Sequence, residues 1–145
     1  MCDACVLCRE SGGRVVFSAS QFRLIHAQEP GLEAFYRLIW NAHVAEWSDL
    51  SAEDQVLCMQ AVTQVEQAMR EVLAPRKINL AALGNMVPHL HWHVIARFEW
   101  DGYFPAPVWA QPHTPPEQLP VAQVDRVRRL RGDLEAAMVA RLQSL

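Results

Sequence analysis

His89-Leu90-His91-Trp92-His93-Val94-Ile95 is the stretch on which the reading of this chain turns. In an extended strand successive side chains alternate faces, so the three histidines share one face while Leu90, Trp92 and Val94 share the other. A helix would rotate residues two apart by about 200° and scatter the imidazoles. Same-face residues of a strand stand only about 7 Å apart, so the rings form a row. Two chemistries suit such a row. The histidines can bind a metal jointly as neutral nitrogen ligands, or one can act as nucleophile or base while its neighbours fix its tautomer and orientation. A straight strand is a poor three-point chelator, because side chains in one row seldom converge on one ion. The middle residue, His91, is therefore the expected nucleophile. Attack through one ring nitrogen requires the other to be protonated and held by an acceptor, often a backbone carbonyl. A phosphorus centre suits this chemistry, because the phosphoramidate formed is labile to water.

Working outward, residues 89–98 (HLHWHVIARF) read as a strand, and 78–83 (INLAAL) as its hairpin partner across Gly84-Asn85-Met86-Val87-Pro88. Residues 14–19, 22–26 and 35–40 read as a meander of three strands, with Gly12-Gly13 as a turn ahead of it. Ser51 followed by Glu53 and Asp54 has the pattern of a helix N-cap with an acidic first turn. Apolar residues at three-and-four spacing then run from Val56 to Leu73, and the helix stops before Pro75. Cys58 falls in this helix and reads as a core residue. Residues 105–120 hold six prolines and predict an extended surface segment. A final helix is expected over 121–142, with Val121, Val124, Val127, Leu130, Leu134 and Met138 on its apolar side and Arg126, Arg128, Arg129 and Arg131 on a solvated face. The expected fold class is α+β: an antiparallel sheet of about five strands, one long helix and a C-terminal helix.

The chain has 145 residues, is 51% hydrophobic and carries a formal net charge of −3. That composition disfavours disorder, and 13 basic against 16 acidic residues give no electrostatic footprint for nucleic acid. No apolar run approaches the roughly 18 residues of a membrane span, and the N-terminus shows no secretory pattern. A cytoplasmic protein with neither nucleic-acid nor membrane partners is the expectation. Three of the four cysteines, Cys2, Cys5 and Cys8, fall within the first eight residues. The Cys5-x-x-Cys8 spacing can grip one tetrahedral metal, usually zinc, but supplies only half of its ligands.

His-x-His-x-His followed by apolar residues, taken with the cysteine pair and the strand leading to His43-Val44-Ala45-Glu46-Trp47, resembles the histidine triad (HIT) superfamily of nucleotidyl hydrolases and transferases. The resemblance extends from Cys5 to about Trp109. It implies a HIT domain over residues 1–115, with 116–145 as a helical extension. It also implies catalytic roles for His89, His91 and His93: His91 would form a covalent nucleotidyl intermediate and His93 would contact the phosphate. Cys5, Cys8, His43 and His89 match the zinc ligands of metal-bearing members, a closed set that reads as structural; no organic cofactor is implied. Asn79, Asn85, His26 and Trp109 match positions near the substrate, while Met86 stands where many members carry a hydroxyl. The implied activity is cleavage at the α-phosphate of a nucleoside polyphosphate or phosphoramidate. A nucleotidyltransferase and a nucleotide-binding module without turnover are the alternatives. The implied assembly is a homodimer that continues the sheet; the helix after Pro120 has no counterpart in the resemblance and is expected as an arm that packs on the partner chain.

Overall fold

The computed structural model describes residues 2–145. Its centre is a five-stranded antiparallel sheet of β1 (Arg14–Ser18), β2 (Phe22–His26), β3 (Phe35–Trp40), β4 (Lys77–Ala81) and β5 (His91–Arg97). The spatial order is β1-β2-β3-β5-β4, so the histidine strand is flanked on both sides. A short helix α1 (Val6–Arg9) precedes the sheet, and α2 (Ala52–Leu73) and α3 (Val121–Gln143) complete the α+β fold.

The meander is observed as expected from the apolar alternation of its strands. The last pair differs at its ends: β4 stops at Ala81, and β5 starts at His91 rather than at His89. His89 is excluded because its backbone N–H bonds the nearby Val87 carbonyl instead of joining the ladder. At the chain's entry, Gly12 is required. Its φ is +90°, and a Cβ there would lie 2.8 Å from Leu7 and 2.9 Å from Ile39.

Register sets the two faces. Tyr36, Leu38 and Trp40 of β3 pair with His26, Leu24 and Phe22 of β2 and with Val94 and Trp92 of β5, and all look toward α2. Arg37 and Ile39 pair with His93 and His91 on the opposite face. Helix α2 opens on Ser51, whose side chain accepts from the Asp54 N–H, and ends at Ala74 in a left-handed conformation before Pro75. It buries Ala61, Val62, Val65, Ala68, Met69 and Leu73 against the sheet. Cys58 is buried there too, and burial pushes its thiol up to about 11, so it stays protonated and serves as packing.

The C-terminal helix lies on α2 and reaches β1 of its own chain, rather than standing free as an arm for a partner. Val127, Leu134 and Met138 are buried beneath it. Its arginines are only partly the solvated face read from their clustering. Arg128 and Arg131 both bond the Glu33 carboxylate, at 2.9 and 2.7 Å, and Arg126 donates to the Leu73 carbonyl at the end of α2. Glu135 accepts two bonds from Arg14 and one from the buried Tyr36 hydroxyl. A one-dimensional pattern shows charge periodicity but not partners about a hundred residues away.

Beside this seam His26 is buried, and burial pulls its pKa below the ordinary 6.5. The nearby Arg131 and Arg14 act in the same direction, while the Glu33 carbonyl and Glu135 oppose them. Burial alone would raise Glu33 and Glu135, but their arginine bonds outweigh it and hold both below the ordinary 4.5. As pH falls through 6.5 the unfolded chain takes up the His26 proton before the folded one, so stability declines. Below 4.5 the stabilisation from the two carboxylates is lost as well. Thermal melts should therefore fall between pH 6.5 and 5 and more steeply below 4.5. Glu135→Gln should cost about 1.5–3 kcal/mol at pH 7 in denaturant titrations, and its difference from the parent should shrink below pH 4.5.

Candidate functional site

The open face of the sheet and the segments around it enclose a cleft of about 790 Å³. Its floor carries His91, His93 and Arg37. One wall is Val6 and Leu7 with residues 10–13, another is the 83–87 loop, and Trp109 closes a third side. Strand alternation accounts for His91 and His93, whose ring centres are 5.0 Å apart. His91 Nδ1 donates to the His89 carbonyl at 2.6 Å. A carbonyl can only accept, so Nδ1 carries the hydrogen and the neutral ring keeps its lone pair on Nε2. Burial holds His91 below the ordinary histidine value, although the His89 bond opposes that shift. His93 is pulled down to about 4, mainly by burial and further by His91 and Arg37. Both rings are therefore neutral near pH 7.

His89 does a different job from its two neighbours. It is fully buried, and its Nε2 donates to the Trp40 carbonyl at 2.6 Å, which leaves the Nδ1 lone pair free. That atom lies 3.3 Å from Cys5 Sγ, 3.6 Å from Cys8 Sγ and 3.3 Å from His43 Nδ1. Cys8 Sγ is in turn 3.3 Å from His43 Nδ1. All four donor atoms lie within 4.8 Å of one another, so the set could hold a metal ion. Zinc bonds of about 2.3 Å to sulfur and 2.0–2.1 Å to nitrogen imply tetrahedral edges of roughly 3.3 Å between nitrogens and 3.6 Å between nitrogen and sulfur. The donor set fits that tetrahedron. Helix α1 makes the CxxC spacing effective by carrying Cys8 one turn from Cys5.

The remaining expected residues divide. Asn85 lines the cleft with Met86, and Trp109 packs edge-on to His93 with ring centres 5.2 Å apart. Asn79 lies instead in a neighbouring cleft of about 680 Å³ beyond Trp109, where its Oδ1 accepts from Arg97. The structure does not bring His26 to the cleft at all. It pairs with Tyr36 on the helix-covered face, where its Nε2 donates to the Glu33 carbonyl. Its place at the end of β2, one residue out of phase with the cleft-facing row, is the physical reason.

Two functional features escaped the sequence reading. Arg37 is half-buried on the cleft floor and donates from Nε to His93 Nδ1 at 3.3 Å. The signal available was a single cation inside the apolar strand FYRLIW, on the face that pairs with the histidines. The second feature is the buried Arg97–Asp101 pair, both side chains 3% exposed. Asp101 also accepts from the backbone N–H groups of Phe98, Tyr103 and Phe104, and Arg97 also donates to the Ala106 carbonyl. This hub shapes the proline-rich segment that delivers Trp109.

Two neutral imidazoles on the strand floor of an open cleft, beside four donor atoms that could hold a metal ion, are carried by an antiparallel α+β scaffold. A HIT domain model matches residues 9–100, and the chain belongs to the HIT family. Among solved structures it is similar to a histidine triad protein from Bradyrhizobium japonicum, at 26% identity over 82% of this chain and 90% of that one, TM-score 0.62. It is similarly close to a histidine triad protein from Marinobacter aquaeolei, at 26% identity over 86% and 92%, TM-score 0.64. A zinc-bound histidine triad family protein from Mycobacterium smegmatis shares the fold at 21% identity over 92% and 97%, TM-score 0.59. No curated protein matches.

Removing the Asp101 carboxylate strands the buried Arg97 guanidinium and frees three backbone donors. Asp101→Ala should lose about 3–5 kcal/mol in denaturant unfolding, whereas Glu99→Ala on the exposed Arg76–Glu99 pair should change stability by under about 1 kcal/mol.

Proposed function

We propose that this protein is a nucleotide hydrolase that cleaves at the α-phosphate of a nucleoside polyphosphate or nucleoside phosphoramidate through a nucleotidyl-His91 intermediate. The observation that carries this reading is the bond from His91 Nδ1 to the His89 carbonyl, which commits the Nε2 lone pair to attack. In the first step Nε2 forms a bond to phosphorus and the bond to the leaving group breaks. A polyphosphate departs as an anion; an amine departs after taking up a proton. In the second step water forms the new P–O bond, the N–P bond breaks, the neutral ring is restored and one water proton is released. Two displacements divide one high barrier into two lower ones. His93 sits beside the reacting centre as a phosphate contact, Asn85 reaches it from the 83–87 loop, and Trp109 limits the cleft.

Zinc is the ion proposed for Cys5, Cys8, His43 and His89. Four protein ligands leave no open coordination position, so it would supply structural bracing rather than Lewis acidity. Free thiols at Cys5 and Cys8 suit the reducing cytoplasm. A homodimer is supported by the edge position of β4, beside which Leu80, Leu83 and Met86 are exposed.

His91→Ala should lower turnover of adenylated substrates by more than about 10³-fold while retaining nucleotide binding. Mass spectrometry after brief mixing should show a nucleotidyl adduct on His91 of the parent. Unchanged turnover in the variant, or binding by the parent with no adduct and no monophosphate released, overturns the hydrolase reading. Metal analysis of protein purified without chelator should give one zinc per chain. Cys8→Ser should release most of it and lower the melting temperature, and a metal-free parent would remove zinc from the account.

A further inference from the structure

Arg37 is the residue of the cleft floor that the hydrolysis scheme leaves without a task. It stands directly across from His93 in the β3–β5 register, inside a strand whose other members are apolar. Burying a guanidinium in part carries a desolvation cost that proteins usually offset with a carboxylate. Among the described residues none forms an ion pair with it. Glu10 lines the same cleft and Glu29 exerts the nearest attractive field, but neither bonds to it. Its orientation is nonetheless set. Nε donates to His93 Nδ1, and the guanidinium carbon lies 4.9 Å from the centre of the Phe35 ring. The two Nη amines donate to no group among the described residues.

We propose that Arg37 is a phosphate-recognition and positioning residue of the triad face: its Nε–H holds His93 as the Nε2–H tautomer, and its free Nη amines take an anionic oxygen of the ligand's phosphate. Arginine has donors only, so His93 Nδ1 must accept, and a neutral imidazole that accepts there carries its hydrogen on Nε2. His91 is the mirror case, protonated on Nδ1 and bare on Nε2. The row thus sets a lone pair for phosphorus beside an N–H for a phosphate oxygen. A guanidinium fork beyond His93 matches further oxygens of the same group. The ligand class follows: a phosphate that keeps at least one full negative charge at the phosphorus, rather than an uncharged ester or a free nucleoside. This rests on the reading of the cleft as a nucleotide site and adds what selects the nucleotide's charge.

Protein carrying ¹⁵N-histidine tests the tautomer, and calorimetry with AMP and adenosine tests the charge. Long-range ¹H–¹⁵N spectra at pH 7 should place the His93 hydrogen on Nε2 in the parent. Arg37→Met, which keeps the stem but no donor, should shift His93 to a mixture of tautomers. It should also weaken AMP binding by about tenfold or more, the scale of a lost charged hydrogen bond, with adenosine within about twofold. Arg37→Lys, which restores the charge but not the fork, should recover AMP binding only in part, to a level between Arg37→Met and the parent. An unchanged His93 spectrum together with an unchanged AMP-to-adenosine ratio in a folded Arg37→Met protein overturns the proposal. Equal losses for AMP and adenosine overturn it too. These readouts need no turnover, so they stand or fall separately from the hydrolase reading, which the His91 adduct decides.

Discussion

One buried imidazole ties the molecule together. His89 donates from Nε2 to the Trp40 carbonyl, presents Nδ1 to two thiols and a second histidine, and lends its own carbonyl to His91. Each of these roles constrains the next. The Trp40 bond selects the tautomer that leaves Nδ1 free to face the other three donors, and a metal bound there would hold the ring on both nitrogens and stop it rotating. With the ring fixed, the carbonyl behind it is fixed too, and that carbonyl determines which His91 nitrogen keeps its lone pair. The backbone departs from the β5 ladder at the one place where a histidine must turn aside and still anchor the strand it introduces.

This explains which parts of the site could be read in the sequence. Period-two alternation reports faces, and it correctly placed His91 and His93 side by side with Leu90, Trp92 and Val94 behind them. It could not report that His89 stands outside the strand, its backbone bonded to the Val87 carbonyl and its ring turned to a carbonyl and a cysteine pair distant in the chain. The family resemblance supplied the four-donor set that spacing alone had left half complete. His26 failed for the opposite reason. It lies near the expected position along the chain, but one residue of phase in a strand exchanges the cleft for the core.

The same division holds for the fold. Strands, the long helix and the α+β class follow from apolar periodicity and from punctuation such as Ser51 and Pro75, which act over a few residues. The docking of α3 does not. It combines an apolar stripe, which was legible, with Glu33 and Glu135 reaching arginines and a tyrosine from far in sequence, which was not. These carboxylates are partly buried and each accepts more than one charged or hydroxyl donor, the setting in which an ion pair contributes more than an exposed one.

Arg37 and Asp101 show how residues outside the motif shape what the motif can do. Asp101 gathers Arg97 and three backbone amides, and so bends the proline-rich segment until Trp109 meets His93 edge-on. Arg37 approaches His93 from the neighbouring strand. His93 is therefore held by His91, Phe35, Trp109 and Arg37 at once. A ring so enclosed is costly to protonate, which is why its pKa falls to about 4. A ring kept neutral can donate one hydrogen in a fixed direction but cannot supply a charge. On this face Arg37 is the cation in contact with the row, and it would supply the positive charge that the proposed phosphate ligand requires. In the proposed reading, nucleophile, donor and charge are thus carried by three residues on two adjacent strands, and the rigidity of the sheet keeps them in register.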